Sequence, residues 1–140
     1  MSNVDLMRDY LDEIGYRYRE GSDSDLGVNF FVSQQGIKGG QTVTIVFEFP
    51  GNEKFVSIKI LDIAMIDSPL KREELLKLLN ELNESYRFGR FTANDNGEVS
   101  IDWTVTTINN FDPKLIIDLC VVIVKSLEDE YPKLMKLQWA

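Results

Sequence analysis

The segment TVTIVFEFPGNEKFVSIKILDIAMI, residues 42–66, restricts the fold more than any other part of the chain. In its first half, Val43, Ile45, Phe47 and Phe49 fall on one side of an extended strand and Thr42, Thr44, Val46 and Glu48 on the other. That is the period of two required of a strand with one buried face. PGNE is a strong turn signal, so KFVSIKILDIAMI returns beside the first strand. In the returning strand Val56, Ile58 and Ile60 share one parity, whereas Leu61, Ile63 and Met65 share the other. The change predicts a bulge, a bend or burial of both faces near Leu61.

A second hairpin is written into RFGRFTANDNGEVSIDWTVT. Asn96-Gly97 is the dipeptide favoured by a type I′ turn, where both central residues take positive φ. Val99, Ile101, Trp103 and Val105 then point one way, and Ser100, Asp102, Thr104 and Thr106 the other. Upstream, YRYRE alternates aromatic and charged residues as a short strand, GSDSDLG follows as a loop, and VNFFVS forms another strand before the turn GIKGG.

Three segments have helical spacing. Val4, Met7, Leu11 and Ile14 line one face of a helix from Asn3 to Ile14, which Gly15 ends. Asp67 or Ser68 caps the second helix, with Pro69 in its first turn and Glu73 and Glu74 at the positive end of its dipole. Its stripe of Leu75, Leu79 and Leu82, widened by Leu76 and Leu78, runs to an end near Glu84. A last helix starts at Asp112-Pro113, is apolar nearly all round from Leu115 to Val124, and bends or restarts near Pro132. The order α-β-β-β-β-α-β-β-α predicts an α+β fold, a twisted antiparallel sheet with helices packed on it. At 140 residues, with no linker or repeat, the chain is read as a single domain, 1–140.

Chemistry is sparse. The chain has no histidine, which removes histidine-dependent triads and the usual zinc sites. Its one cysteine, Cys120, lies within LIIDLCVVIV and reads as a small buried hydrophobe. Aligning Gly97 with the glycine of a calcium loop puts Thr92 and Trp103 where acidic ligands are required, so that match fails. GIKGG has neither dinucleotide nor phosphate-loop spacing, and Asp62, Asp67 and Asp102 have no spacing that sets them apart from solvated surface charge. No enzyme activity and no cofactor or metal are expected.

The net charge of −8, spread over both halves, disfavours nucleic acid and anionic membrane and favours a basic peptide. No apolar run reaches the roughly 20 residues of a bilayer span, and the acidic N-terminus lacks the pattern of a signal peptide, so a cytoplasmic location is expected.

Where apolar residues exceed what a core demands, two sets of candidates arise. Val4, Met7, Leu11, Phe30 and Phe47 are candidate partner contacts, although internal burial is the commoner use of such residues. Leu115, Leu119, Val122 and Ile123 belong to a helix that is either central to the core or shared with a second copy in a homodimer.

The stretch LLKLLNELNESYRFGRFTANDNGEVSIDW resembles the YbjN-domain family of bacterial sensory-transduction regulators. The matching features are Leu78, Leu79, Asn80, Leu82 and Asn83 in the leucine-rich helix, then Arg90, Phe91, Asp95 and Gly97 around an acidic-glycine turn. The first helix followed by EIGYRY and the helical C-terminus extend the likeness over most of the chain. That family is similar in fold to the type III secretion chaperones, small acidic α+β proteins, often dimers, that bind an extended segment of a partner. The resemblance implies a type III secretion chaperone-like fold and a regulator or chaperone-like adaptor that binds another polypeptide. A dedicated secretion chaperone, and a small-molecule sensor or enzyme with a pocket between sheet and helices, remain alternatives.

Overall fold

A computed structural model describes residues 1–39 and 41–140. The strands are β1 (Arg19–Asp23), β2 (Val28–Gly36), β3 (Thr42–Pro50), β4 (Phe55–Met65), β5 (Arg90–Ala93) and β6 (Glu98–Thr106), and the helices are α1 (Asn3–Glu13), α2 (Arg72–Ser85) and α3 (Pro113–Gln138). The element order is the one the sequence predicts. All six strands join one antiparallel sheet in the order β1-β2-β3-β4-β6-β5. The chain leaves β4 through α2, lays β5 at the far edge, and fills the gap with β6.

One face of the sheet is covered and the other is open. The covered face carries Val43, Ile45, Phe47 and Phe49 of β3, Val56, Ile58 and Ile60 of β4, and Val99 and Ile101 of β6, all buried. They form one continuous core with Met7 and Leu11 of α1, Leu75, Leu79 and Leu82 of α2, and Ile116, Ile123, Leu127 and Leu134 of α3. Burying aliphatic and aromatic side chains of this size contributes about 1.5–3 kcal/mol each, which is what holds the helices to the sheet. A ladder of edge-to-face aromatics, Tyr18–Phe31–Phe49–Phe111, closes the side nearest β1.

The helix ends follow local chemistry. Ser2 Oγ accepts from the Asp5 amide at 3.1 Å while Asp5 Oδ2 accepts from the Ser2 amide at 3.4 Å, a reciprocal capping box for α1. Gly15 follows with φ +71°. Asp112 caps α3 by accepting from the Lys114 amide at 3.0 Å.

Five local expectations are corrected. YRYRE contributes only Arg19 and Glu20 to its strand; β1 runs on through Gly21–Asp23, because those residues pair with Phe30–Val28 of β2. The 94–98 turn is not type I′: Gly97 alone has positive φ, +83°, and Asn94 Oδ1 accepts from the amides of Asn96 and Glu98. That is a tight turn closed by a left-handed glycine, organised by Asn94 in place of Asn96. Pro69–Lys71 forms a short 3-10 turn ahead of α2, and Ser68 offers it no side-chain cap. Leu76 is exposed, so the leucine stripe is narrower than expected. Finally, α3 does not restart at Pro132 but continues as one helix through it, with Tyr131 before it and Leu134 and Leu137 after it on one buried stripe.

The parity change in β4 is a bulge. Pairing with β6 passes from Ile60↔Ile101 to Ala64↔Val99, so three residues of β4 oppose Ser100 alone. The extra residues turn Ile63 back into the core, and Asp62 takes the strain with φ +63°. Gln41 Nε2 donates to the Asp62 carbonyl at 2.8 Å and Thr44 Oγ1 donates to Asp62 Oδ2 at 2.6 Å, which fixes the irregular segment. The turn GIKGG includes Gly40, which lies outside the described residues.

Candidate binding surface

The open face of the sheet is built by strand alternation and cross-strand register. Arg19, Val32, Val46, Lys59, Asp102 and Arg90 stand in one row from β1 to β5. The adjacent row holds Gly21, Phe30, Glu48, Ser57 and Thr104. Towards β5 the rows are polar and self-satisfied: Arg90 donates two hydrogen bonds to Asp102, at 3.0 and 2.9 Å, and Ser57 and Thr104 pair at 3.1 Å. Towards β1 they are apolar. Leu26, Val28, Phe30, Val32 and Val46 line a groove of about 350 Å³ bordered by Asp23 and by the Glu48–Lys59 ion pair. Among the described residues no helix lies over this patch, since α1, α2 and α3 are committed to the other face.

The residues nominated from the sequence do not share one surface. Phe30 lines the open-face groove. Val4 is half-buried against the core. Met7, Leu11 and Phe47 are each 0 % exposed, enclosed between α1, α3 and the sheet as part of the core. In α3, Ile123 is buried, Leu119 is half-buried, and Leu115 and Val122 are exposed on the outer side. Val32 and Val46 were missed. The signal for Val46 was an apolar residue whose neighbours of the same parity, Thr42, Thr44 and Glu48, are polar; Val32 shares the parity of Val28 and Phe30 and had no such contrast.

The two sheet edges differ. At the β5 edge, Asn83 of α2 brackets Phe91, accepting from its amide at 2.7 Å and donating to its carbonyl at 3.0 Å. Those are main-chain groups an incoming strand would use, so Asn83 blocks this edge at Phe91. The β1 edge has a strand neighbour on one side only. Arg8 of α1 reaches it from the helix side, donating to both carboxylate oxygens of Glu20 at 2.7 Å and to Asp5 at 2.8 Å. The Arg8 guanidinium holds the Glu20 carboxyl below its usual range.

Other concavities have structural explanations or mixed linings. A groove of about 630 Å³ opens at the β4 bulge, lined by Gln41, Leu61, Asp62, Thr92, Glu98 and Ser100 among others. A groove of about 290 Å³ lies between Tyr16 and α3, where burial pushes the Cys120 thiol up to about 12. A thiol in that state is neutral and a poor nucleophile at neutral pH. Glu130 accepts from the Tyr86 hydroxyl at 2.6 Å and meets Lys133 at 2.9 Å, so its carboxylate is held below its usual range by its partners, the Tyr86 bond first. Among the described residues no group of three or more His, Cys, Asp or Glu is placed to hold a metal ion. No described helix is long and apolar enough to cross a membrane.

Comparison with known proteins agrees with this architecture without naming a reaction. A search of curated proteins finds no match. The model of the YbjN family, described as "Putative bacterial sensory transduction regulator", matches residues 3–135. The match spans every element from α1 into the last turns of α3, and the chain therefore belongs to the YbjN family.

Proposed function

We propose that this protein is a non-catalytic regulator or chaperone-like adaptor that works as a single domain and homodimer in the cytoplasm, holding a segment of another polypeptide on its open sheet face. The observation that carries the reading is the apolar patch of Leu26, Val28, Phe30, Val32 and Val46, beside rows that are polar and self-paired through Arg90–Asp102 and Ser57–Thr104. An antiparallel sheet commonly presents a polar face to water, so a block of this kind needs an occupant. The family description, a regulator, supports an adaptor over an enzyme. Charge decides the kind of segment. With net charge −8, the surface favours a basic segment with apolar anchors.

The test selects binders from a random peptide library and titrates the strongest by calorimetry against wild type, Val46→Asp and Val122→Asp. Val46→Asp is expected to abolish binding and Val122→Asp to leave it intact. Loss with Val122→Asp alone moves the site to α3, and failure to recover any binder refutes the reading.

One observation favours a second reading, a small polar ligand in the groove at the β4 bulge. There the strained Asp62 and Glu98 share a cavity large enough for such a ligand. This cavity sits at the bulge instead of between sheet and helices, and its test is a thermal-shift screen of polar metabolites against wild type and Glu98→Gln.

A further inference from the structure

We infer that the second copy of the proposed homodimer docks along β1, edge to edge and antiparallel, with Gly21 of one copy facing Gly21 of the other. The inference deepens the dimer reading above and rests on it. Among the described residues the β1 edge is the one left free for this, because Asn83 already occupies the main-chain groups of Phe91 at the other.

The residues of β1 are self-complementary about their centre. Arg19, Gly21 and Asp23 pair with Val32, Phe30 and Val28, so all three belong to the open face. Two-fold antiparallel pairing about Gly21 sets Arg19 opposite Asp23 of the second copy and Asp23 opposite its Arg19. A symmetric interface thus gains two opposite-charge cross-strand pairs from one sequence. Arg19 is exposed and makes no ion pair within the chain among the described residues. Asp23 uses Oδ1 to accept from the amides of Asp25 and Leu26, which leaves Oδ2 for the arginine. Glu20, the charge that would complicate the pairing, is held on the helix side by Arg8.

Apolar contact is added at the centre. A Cβ on Gly21 would lie 2.5 Å from Cε2 and 2.8 Å from Cζ of Phe30, so the Phe30 ring rests directly over the glycine. Paired strands lie about 4.8 Å apart. The distal edges of the two rings, each against its own Gly21, thus border the two-fold axis from either side and add apolar surface there. The pairing also makes the two Val32/Val46 patches parts of one continuous open face.

The experiment measures solution mass by light scattering after size exclusion, over a dilution series, for wild type, Arg19→Glu, Asp23→Lys, Val122→Asp and an equimolar mixture of the first two variants. Wild type is expected at twice 16.1 kDa. Arg19→Glu and Asp23→Lys each turn two attractive pairs into repulsive ones and weaken the dimer roughly ten- to a hundredfold. Mixing them restores it, because the new glutamate of one chain then faces the new lysine of the other, while Asp23 of the first faces Arg19 of the second. Val122→Asp stays dimeric. Wild type that is monomeric at every concentration refutes the dimer reading and this inference together. Wild type that dimerises while Arg19→Glu does so unchanged refutes the β1 interface alone. If Asp23→Lys does not fold, Arg19→Glu against Val122→Asp still decides, since Arg19 supports nothing inside the monomer.

Discussion

Replacing Gly97 with alanine tests the 94–98 turn at its tightest point. Gly97 sits at φ +83°, donates to the Asn94 carbonyl at 3.0 Å, and accepts from the Ile66 amide at 2.9 Å. A Cβ there would lie 2.1 Å from the Ile66 carbonyl oxygen, 2.5 Å from its carbon and 2.9 Å from Asp67 Cα. All three are main-chain atoms, which cannot swing aside as a side-chain tip would. The left-handed conformation costs alanine about 1–2 kcal/mol, and losing the Ile66–Gly97 bond costs about 1 kcal/mol. Displacing residues 66–67 adds overpacking strain of about 1–3 kcal/mol, while the stiffer unfolded chain offsets roughly 0.4–1 kcal/mol. The net destabilisation is roughly 2–5 kcal/mol, a fall in Tm of about 6–15 °C for a chain of this size. Gly15→Ala is the matched control, because Gly15 also has positive φ, +71°, but nothing lies within 4 Å of its Cβ position. It should cost only about 0.5–1.5 kcal/mol. Urea melts followed by circular dichroism give both values. Equal losses for the two variants would refute the close approach of the turn to Ile66 and leave only the φ argument. Gly97→Asn separates the terms further, since asparagine tolerates the left-handed region but still meets the Ile66 carbonyl.

Asn83→Ala removes both bonds to Phe91 and is expected to cost about 2 kcal/mol; hydrogen exchange at the Phe91 amide should accelerate well beyond that of Ile101, and equal rates would show that Asn83 does not close the edge. Burial raises the Cys120 thiol from its ordinary value of 9.0 to about 12, so its neutral form is the one the fold accepts. Stability from this group is full below pH 9 and falls as pH rises towards 12; urea midpoints should show the fall in wild type more steeply than in Cys120→Ala, and identical curves would contradict the burial. Glu20 titrates below its ordinary value of 4.5 because of Arg8, so the ion pair's contribution is present above that value and is lost as pH falls through the depressed one. An NMR titration should find the Glu20 pKa raised in Arg8→Met, with amide exchange across β1 faster in that variant; no change in either would break the link between α1 and the sheet edge.

Much of this architecture is legible because it is local. Alternation in TVTIVFEF assigns the buried face of β3 correctly, the parity change at Leu61 marks the β4 bulge, and Cys120 is buried as its apolar neighbours predict. Local reading fails where a distant segment sets the outcome. The strand predicted in YRYRE shifts to Arg19–Asp23 because β2 pairs there. It fails too where two local signals compete: the dipeptide Asn96-Gly97 yields its first turn role to Asn94, whose side chain reaches the amides two and four residues ahead. The candidate contacts Met7, Leu11 and Phe47 look like Phe30 in sequence, since each is a large apolar residue in a periodic element. What separates them is which face the helices cover.

Periodicity, turn chemistry and residue type act over a few neighbouring positions, so the element order, the α+β class and the want of histidine-based chemistry follow from the amino-acid sequence alone. That Asn83 closes one edge while β1 leaves the other free, and that Phe30, Val32 and Val46 stay uncovered, emerges only when the chain is folded. Those outcomes depend on strand order and on where α1, α2 and α3 come to rest. Both are set by long-range pairing and burial, which no short window of sequence contains.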